Sequence, residues 1–244
     1  MQYLTIENLN KTIGKEKLLS DISFSVEQGS INLIAGPNGS GKSLLLKCLK
    51  GIEKIDNGKI IYCGEEKKKR GDRMNLFGLV MQDTSLQIVG QTVKKDIRFG
   101  LENQNRKVDE IARITEEMLS LFSLKEIENK DPNILSGGER RRLSIAGVLA
   151  MQADVLLLDE PLANLDYPSI LMVLKTLKKL KEKNITTLIV SHEAEKLLSL
   201  TDNTILLKEG RVVGWGKSIS MIDRIKENSV YLPNLPFEEI TWLK

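Results

Sequence analysis

The run GPNGSGKS, Gly36 to Ser43, decides how the rest of the chain is read. It fits the pattern G-x-x-x-x-G-K-[ST]. The apolar run SINLIA, 30–35, precedes it and reads as a buried strand; Ser43 to Leu49 follows and reads as a helix. Strand, glycine loop and helix in that order form the context a phosphate-binding loop requires. Glycines let successive backbone N–H groups turn toward one anion without Cβ clashes. In this reading Gly36, Pro37, Asn38, Gly39, Ser40, Gly41, Lys42, Ser43 and Leu44 surround the phosphates. Lys42 reaches the outer phosphates and the Ser43 hydroxyl ligates Mg²⁺. The bland alternative is a glycine-rich turn, and the acid that follows downstream argues against it.

That acid closes VLLLDE, 155–160. A valine and three leucines ahead of two acids fit a strand buried on both faces. Asp159 at its end can hold Mg²⁺. Glu160 follows where the strand stops, so both side chains can reach one site, and Glu160 can accept a proton from attacking water. His192, the only histidine, follows TTLIVS, 186–191, at the C-terminal end of another buried strand. In open α/β sheets ligands bind at that edge. Gln82 follows FGLVM, 77–81, at a similar edge, and its amide oxygen can ligate Mg²⁺ or orient water. LSGGE, Leu135 to Glu139, precedes a run that reads as a helix to Met151. Its glycines sit at a helix N-terminus, a second place to hold an anion, with no lysine beside it.

Around these motifs the pattern is α/β. Tyr3–Asn8 and Ile22–Val26 alternate as half-buried strands do. Lys59–Cys63 reads as a short strand and EEKKKRGD, 65–72, as a charged loop. From Thr92 to about Leu124 apolar residues (Val93, Ile97, Leu101, Val108, Ile111, Ile114, Met118, Leu121) recur at helical spacing. Ser169–Lys183 is amphipathic. A helix over 193–200 and strands over 204–208 and 211–215 follow. Buried strands alternating with helices argue for a mainly parallel core sheet, interrupted by helices over about 88–151. The 217–244 tail holds a short helix and then YLPNLPFEEITWLK, whose aromatics read as exposed.

The bulk numbers exclude several classes. The chain has 244 residues, 41% hydrophobic and 28% charged, an ordinary globular balance able to bury a core. Net charge is +3, from 36 basic and 33 acidic residues, too slight to argue for nucleic acid. No apolar run approaches the ~20 residues that span a bilayer, and the first residues carry no signal-peptide pattern. Cys48 and Cys63 read as buried or half-buried thiols in a reducing compartment, not as a metal or redox motif.

In this order GPNGSGKS, Gln82, LSGGE, VLLLDE, ANLD and Ser191–His192 resemble the ATP-binding-cassette (ABC) ATPases, over residues 1 to about 216. The resemblance implies a P-loop NTPase cassette with an N-terminal antiparallel β subdomain and an inserted helical subdomain, with ATP and Mg²⁺ as cofactors. It implies two cassettes paired head to tail, each ATP lying between one phosphate loop and the partner's LSGG segment. By that resemblance Ser136, Gly137 and Gly138 bind the γ-phosphate of ATP held by the partner. Asp166, in ANLD, crosses the interface. Glu160 is the general base, His192 positions water and γ-phosphate, and Gln82 couples to Mg²⁺.

The segment VMQDTSLQIVGQTVKKDIRFGLEN, 80–103, and SIAGVLAM, 144–151, look like the ATPase subunits of energy-coupling-factor (ECF) transporters, which import vitamins and metal ions. That implies a membrane coupling protein docked near Gln82 to Phe99, and a peripheral place on the cytoplasmic face of the membrane. The chain departs from the group in four places. Ile13 stands where many relatives stack a tyrosine on adenine, and Glu139 where glutamine is commoner. EPLANLD stands where small residues often follow the proline, and the tail is short. The alternative readings are a soluble ABC ATPase acting on nucleic acid or ribosomes, and the ATPase of another ABC subgroup. Against the first, only about 92 residues separate Ser43 from Leu135, without the sustained heptads a long coiled-coil insert needs.

Overall fold

A computed structural model of the chain describes residues 3–243. β1 (Leu4–Ile13) and β2 (Glu16–Val26) form a hairpin. Gly14 turns it with φ at 63°. Both strands outrun the alternation seen in the sequence. Asn10 and Asp21 in the outer half bond across the hairpin, the Asp21 N–H donating to Asn10 Oδ1 at 3.1 Å, so polar side chains replace the apolar signal there. β3 (Ile31–Ala35) leads through the glycine loop into α1 (Lys42–Lys50). β4 (Asn57–Tyr62) and β5 (Glu65–Glu66) complete a four-stranded antiparallel sheet in the order β2-β1-β4-β5.

The run 65–72 is therefore not a plain loop. Glu65 and Glu66 pair with Lys67 and Lys68, which stabilises a short edge strand, and Arg70 opens α2 (Arg70–Leu76). β6 (Phe77–Val80) follows. The helical stretch divides into α3 (Val93–Asn103) and α4 (Val108–Leu121), because Asn105 adopts φ 54° and ends the first helix. Val108, at the first position of α4, is exposed, while Ile111, Ile114 and Met118 are buried. α5 (Gly137–Ala150) leads to β7 (Val155–Asp159), then α6 (Tyr167–Glu182), β8 (Thr186–Ser191) and α7 (Ala194–Leu197). β9 (Asn203–Lys208), β10 (Arg211–Lys217) and α8 (Ile222–Glu227) follow.

The core sheet runs β10-β9-β3-β8-β7-β6, parallel except for β10. Its central strands are buried on both faces, and period two splits them between two cores. Leu33, Leu156, Leu158 and Ile189 join the helices on one side. Ile34, Val155, Leu157, Leu188 and Val190 join α1 and the antiparallel sheet on the other. This double burial produces the unbroken apolar runs in the sequence.

The tail differs from its expectation. Val230, Leu232 and Ile240 are buried in the first core, and Trp242 packs against Tyr167; of its aromatics Tyr231 stays exposed. Cys48 is buried but Cys63, in a turn at φ 49°, is exposed, so only one thiol lies inside.

Candidate active site

The strands β3, β6, β7 and β8 run the same way, so Ala35, Val80, Asp159 and Ser191 end along one edge of the sheet. The glycine loop, Gln82, Glu160 and His192 all leave from that edge. A cavity of about 390 Å³ there is lined by Asn38, Gly39, Gly41, Lys42, Ser43, Leu44, Gln82, Glu160 and His192. Leu18, from β2, supplies an apolar wall that the sequence did not announce.

Within the loop, Lys42 Nζ donates to the carbonyls of Gly36 at 2.8 Å and Pro37 at 2.9 Å. Burial pulls the ammonium below the ordinary lysine range, opposed by the carboxylates of Glu160 and Asp159. The Ser40 hydroxyl is buried and, among the described residues, has no hydrogen-bond partner. A lysine folded onto its own loop and an orphaned hydroxyl fit a phosphate chain, which would give both a partner. Ser43 Oγ donates to Asp159 Oδ1 at 2.9 Å. Burial pushes the Asp159 carboxyl above the usual range, partly offset by that hydroxyl, with Glu160 adding to the rise. A carboxylate desolvated in this way fits a Mg²⁺ site shared with Ser43. Among the described residues no group of three or more His, Cys, Asp or Glu could hold a metal ion.

How two neighbouring acids face one site is set by the backbone. Glu160 adopts φ 47°, left-handed for a non-glycine residue, and its N–H donates to the Val190 carbonyl at 2.9 Å. The kink turns Glu160 back toward β8 instead of to the far face. The residue is only 7% exposed. Its Oε1 lies 2.9 Å from His192 Nδ1 and accepts the His192 backbone N–H at 3.1 Å. A carboxylate held twice by one residue is oriented at the cavity wall, the arrangement a general base needs.

A different set of predicted residues lies together elsewhere. Ser136 caps α5 by accepting from the Glu139 N–H at 3.2 Å, and Glu139 Oε2 accepts the Ser136 N–H at 2.8 Å. The two bonds make a capping box of the S-x-x-E pattern. It leaves Gly137 and Gly138 at the first turn, where N–H groups have no intrahelical acceptor. Gly138 packs on Ser169 so closely that a Cβ would lie 2.5 Å from Ser169 Oγ. Asp166 caps α6 through the Ser169 N–H at 3.1 Å. Thus Ser136, Gly137, Gly138 and Asp166 form a second cluster, outside the lining of the 390 Å³ cavity. Ile13 ends β1, half exposed, and does not line the 390 Å³ cavity.

Two residues unnoticed in the sequence hold Gln82. The Met81 N–H donates to Gln87 Oε1 at 2.7 Å, and Gln87 Nε2 donates to the Leu79 carbonyl at 2.8 Å, closing the loop. Arg141 donates to the Met81 and Gln82 carbonyls, each at 2.9 Å.

A family profile described as "ABC transporter" matches residues 19–163, more than half of the chain. The chain belongs to the ABC transporter family. It is an ABC-type ATPase cassette, and ATP and Mg²⁺ are its cofactors. It is 36% identical over 226 residues to the energy-coupling factor transporter ATP-binding protein EcfA1 of Staphylococcus aureus (strain MSSA476), covering 90% of this chain and 82% of the relative. A Bacillus anthracis protein described as an ABC transporter ATP-binding protein is 35% identical over 93% of this chain, which spans only 41% of that longer relative. Among solved structures, cbiO1 of Clostridium perfringens, part of the ABC transporter complex cbiONQ, superposes with a TM-score of 0.85 at 30% identity, over 96% of this chain and 97% of that one. The cassette MJ1267 in its ADP conformation shares the fold, with a TM-score of 0.82 at 24% identity over 94% and 96% of the two chains.

Proposed function

We propose that this cassette hydrolyses ATP to drive an ECF-type importer of a vitamin or metal ion. The observation that carries the hydrolytic part is the Glu160 carboxylate held by His192 at the wall of the cavity that contains Lys42 and Ser43. Lys42 exchanges the Gly36 and Pro37 carbonyls for the outer phosphates. Ser43, Asp159 and Gln82 hold Mg²⁺, whose charge offsets that of the phosphates. Glu160 takes the proton of the attacking water, and His192 keeps that carboxylate and the water in place. Ser136, Gly137 and Gly138 present a helix N-terminus, roughly half a positive charge, to the γ-phosphate of ATP on a second cassette. Asp166, at the neighbouring helix cap, crosses to that cassette. None of Ser136, Gly137, Gly138 and Asp166 lines the 390 Å³ cavity that contains Lys42, which supports assembly in pairs, with an identical or a related subunit.

The cassette unit is taken as 1–216, with the helical part at about 88–151; from the 217–244 tail, Val230, Leu232 and Ile240 pack back on it. A groove of about 370 Å³ supports a membrane partner near Gln82 to Phe99. Its lining includes Gln87, Val89, Phe99, Val148 and Met151. Leu86, Val89 and Phe99 stay exposed beside it. Asp96 accepts the Val89 and Gly90 N–H groups at 2.8 and 2.9 Å and so sets the shape of its rim. Among the described residues no helix is long and apolar enough to cross a membrane. A peripheral subunit on the cytoplasmic face, bound through that groove, suits this.

Glu160→Gln should keep ATP binding and slow hydrolysis by roughly 10²–10⁴-fold; unchanged turnover removes the general base. Tagged protein from mild-detergent membrane extracts should bring down a multi-spanning membrane protein. Recovery of ribosomes or DNA instead would move the assignment to a soluble ABC ATPase.

A further inference from the structure

Arg141 is a buried charge that the proposed chemistry leaves without a task. It sits on the second turn of α5, five residues beyond Ser136, and is 4% exposed. A buried guanidinium is costly unless every donor is used well. Here its two terminal nitrogens fork onto consecutive carbonyls, those of Met81 and Gln82, at 2.9 Å each. Its Nε has no partner among the described residues. A second cavity, of about 790 Å³, is lined by Ser43, Gln82, Asp159, Arg141 and Gly137. The fork therefore lies between the metal-binding edge and the helix whose first turn holds the signature glycines. Gln87 closes the same loop from the other side, so among the described residues Arg141 is the hydrogen-bonded tie from Met81–Gln82 to α5.

We propose that Arg141 is a positioning residue that fixes Gln82 for Mg²⁺ at the chain's own ATP and welds that glutamine to the helix that grips the partner's ATP. The proposal rests on the ATPase reading above. A fork is needed because two adjacent carbonyls must be held in one orientation. A lysine keeps the charge but offers a single point donor.

The test uses the full chain with Arg141→Lys and Arg141→Gln, thermal melting as the folding control, and a fluorescent ATP analogue. Binding in EDTA should match wild type, because the phosphate loop is untouched. The Mg²⁺ concentration that half-saturates the gain in nucleotide affinity should rise roughly 10–100-fold, the size expected when a group orienting a metal ligand is lost. Cooperativity of hydrolysis in ATP should weaken in parallel. Folded variants with the wild-type Mg²⁺ midpoint and cooperativity would overturn the proposal. A wild-type chain with no Mg²⁺-dependent gain and no hydrolysis would instead overturn the ATPase reading. Should neither variant fold, hydrogen exchange on wild type decides: Mg²⁺ with ATP should protect 81–87 and 136–142 at the same nucleotide concentration, and separate midpoints would show that the two segments are not joined.

Discussion

Gly36 and Gly39 open the same loop, yet replacing each by alanine should have different consequences. At Gly36 a new Cβ would lie 2.0 Å from the Leu207 carbonyl oxygen and 3.0 Å from Ser40 Oγ. Ordinary contact between carbon atoms begins near ~3.5 Å, so the loop must move by more than about 1 Å. β9 cannot yield, because Ile34 and Ala35 of β3 pair with its Ile205 and Leu206 in the middle of the sheet. At Gly39 nothing lies within 4 Å, and only the backbone, at φ 79°, resists a side chain. Backbone strain of about 1–3 kcal/mol is common to both sites, while overpacking of about 1–3 kcal/mol falls on Gly36 alone. For a chain of this size each kcal/mol moves the melting temperature by roughly 2–4 °C. Gly36→Ala should therefore melt roughly 2–12 °C below Gly39→Ala. It should also lose the stabilisation that Mg²⁺ with ATP gives wild type, whereas Gly39→Ala should retain part of it. Scanning calorimetry with and without nucleotide measures both. Equal melting temperatures, or a lower one for Gly39→Ala, would refute the account of the loop as limited by the β9 carbonyl.

Asp159→Asn should raise the melting temperature of the nucleotide-free protein at neutral pH while abolishing the Mg²⁺ dependence of binding. Asp159 has a carboxyl raised above 3.8 by burial, so its charged form costs stability above both values. The advantage of the variant should shrink as pH falls through the raised value, and a melting series from neutral to acid pH checks the sign. Cys63 should react with a thiol reagent in the native protein, while Cys48, buried and raised to about 11, should react only on unfolding; equal labelling rates would refute the assignment. Trp242→Ala should lower stability by about 1–2 kcal/mol through the lost Tyr167 ring pair and the Lys196 cation above the indole. It should open the tail to limited proteolysis, and Trp242→Phe should restore most of the loss.

What was legible in the sequence follows from which interactions leave a pattern. β7 and β8 are read from VLLLD and TTLIVS because burial on both faces needs unbroken apolar residues. The phosphate loop is read because its backbone conformation needs glycine at fixed places. The reach of Glu160 toward the site depends on φ 47° at a residue type with no preference for it, so no local signal announces the kink. Arg140, Arg141 and Arg142 look alike in ERRRLSIAGVLAM. Yet Arg141 is tied to the Met81 and Gln82 carbonyls and Arg142 to the Phe122 carbonyl, at 3.0 Å for its Nε. Their acceptors are backbone oxygens, which every residue carries, and composition cannot point to them. The tail's burial is invisible for a related reason, because Val230, Leu232 and Ile240 are spaced by prolines and turns, not by a helical or strand period. The second anion cradle follows the opposite logic. Ser136 to Glu139 is readable as a helix N-terminus with glycine at its first two positions, and Gly138 is pressed on Ser169 of α6. On the reading proposed above, these first-turn N–H groups, held on the same helix as the clamp on Gln82, meet a phosphate brought by another subunit.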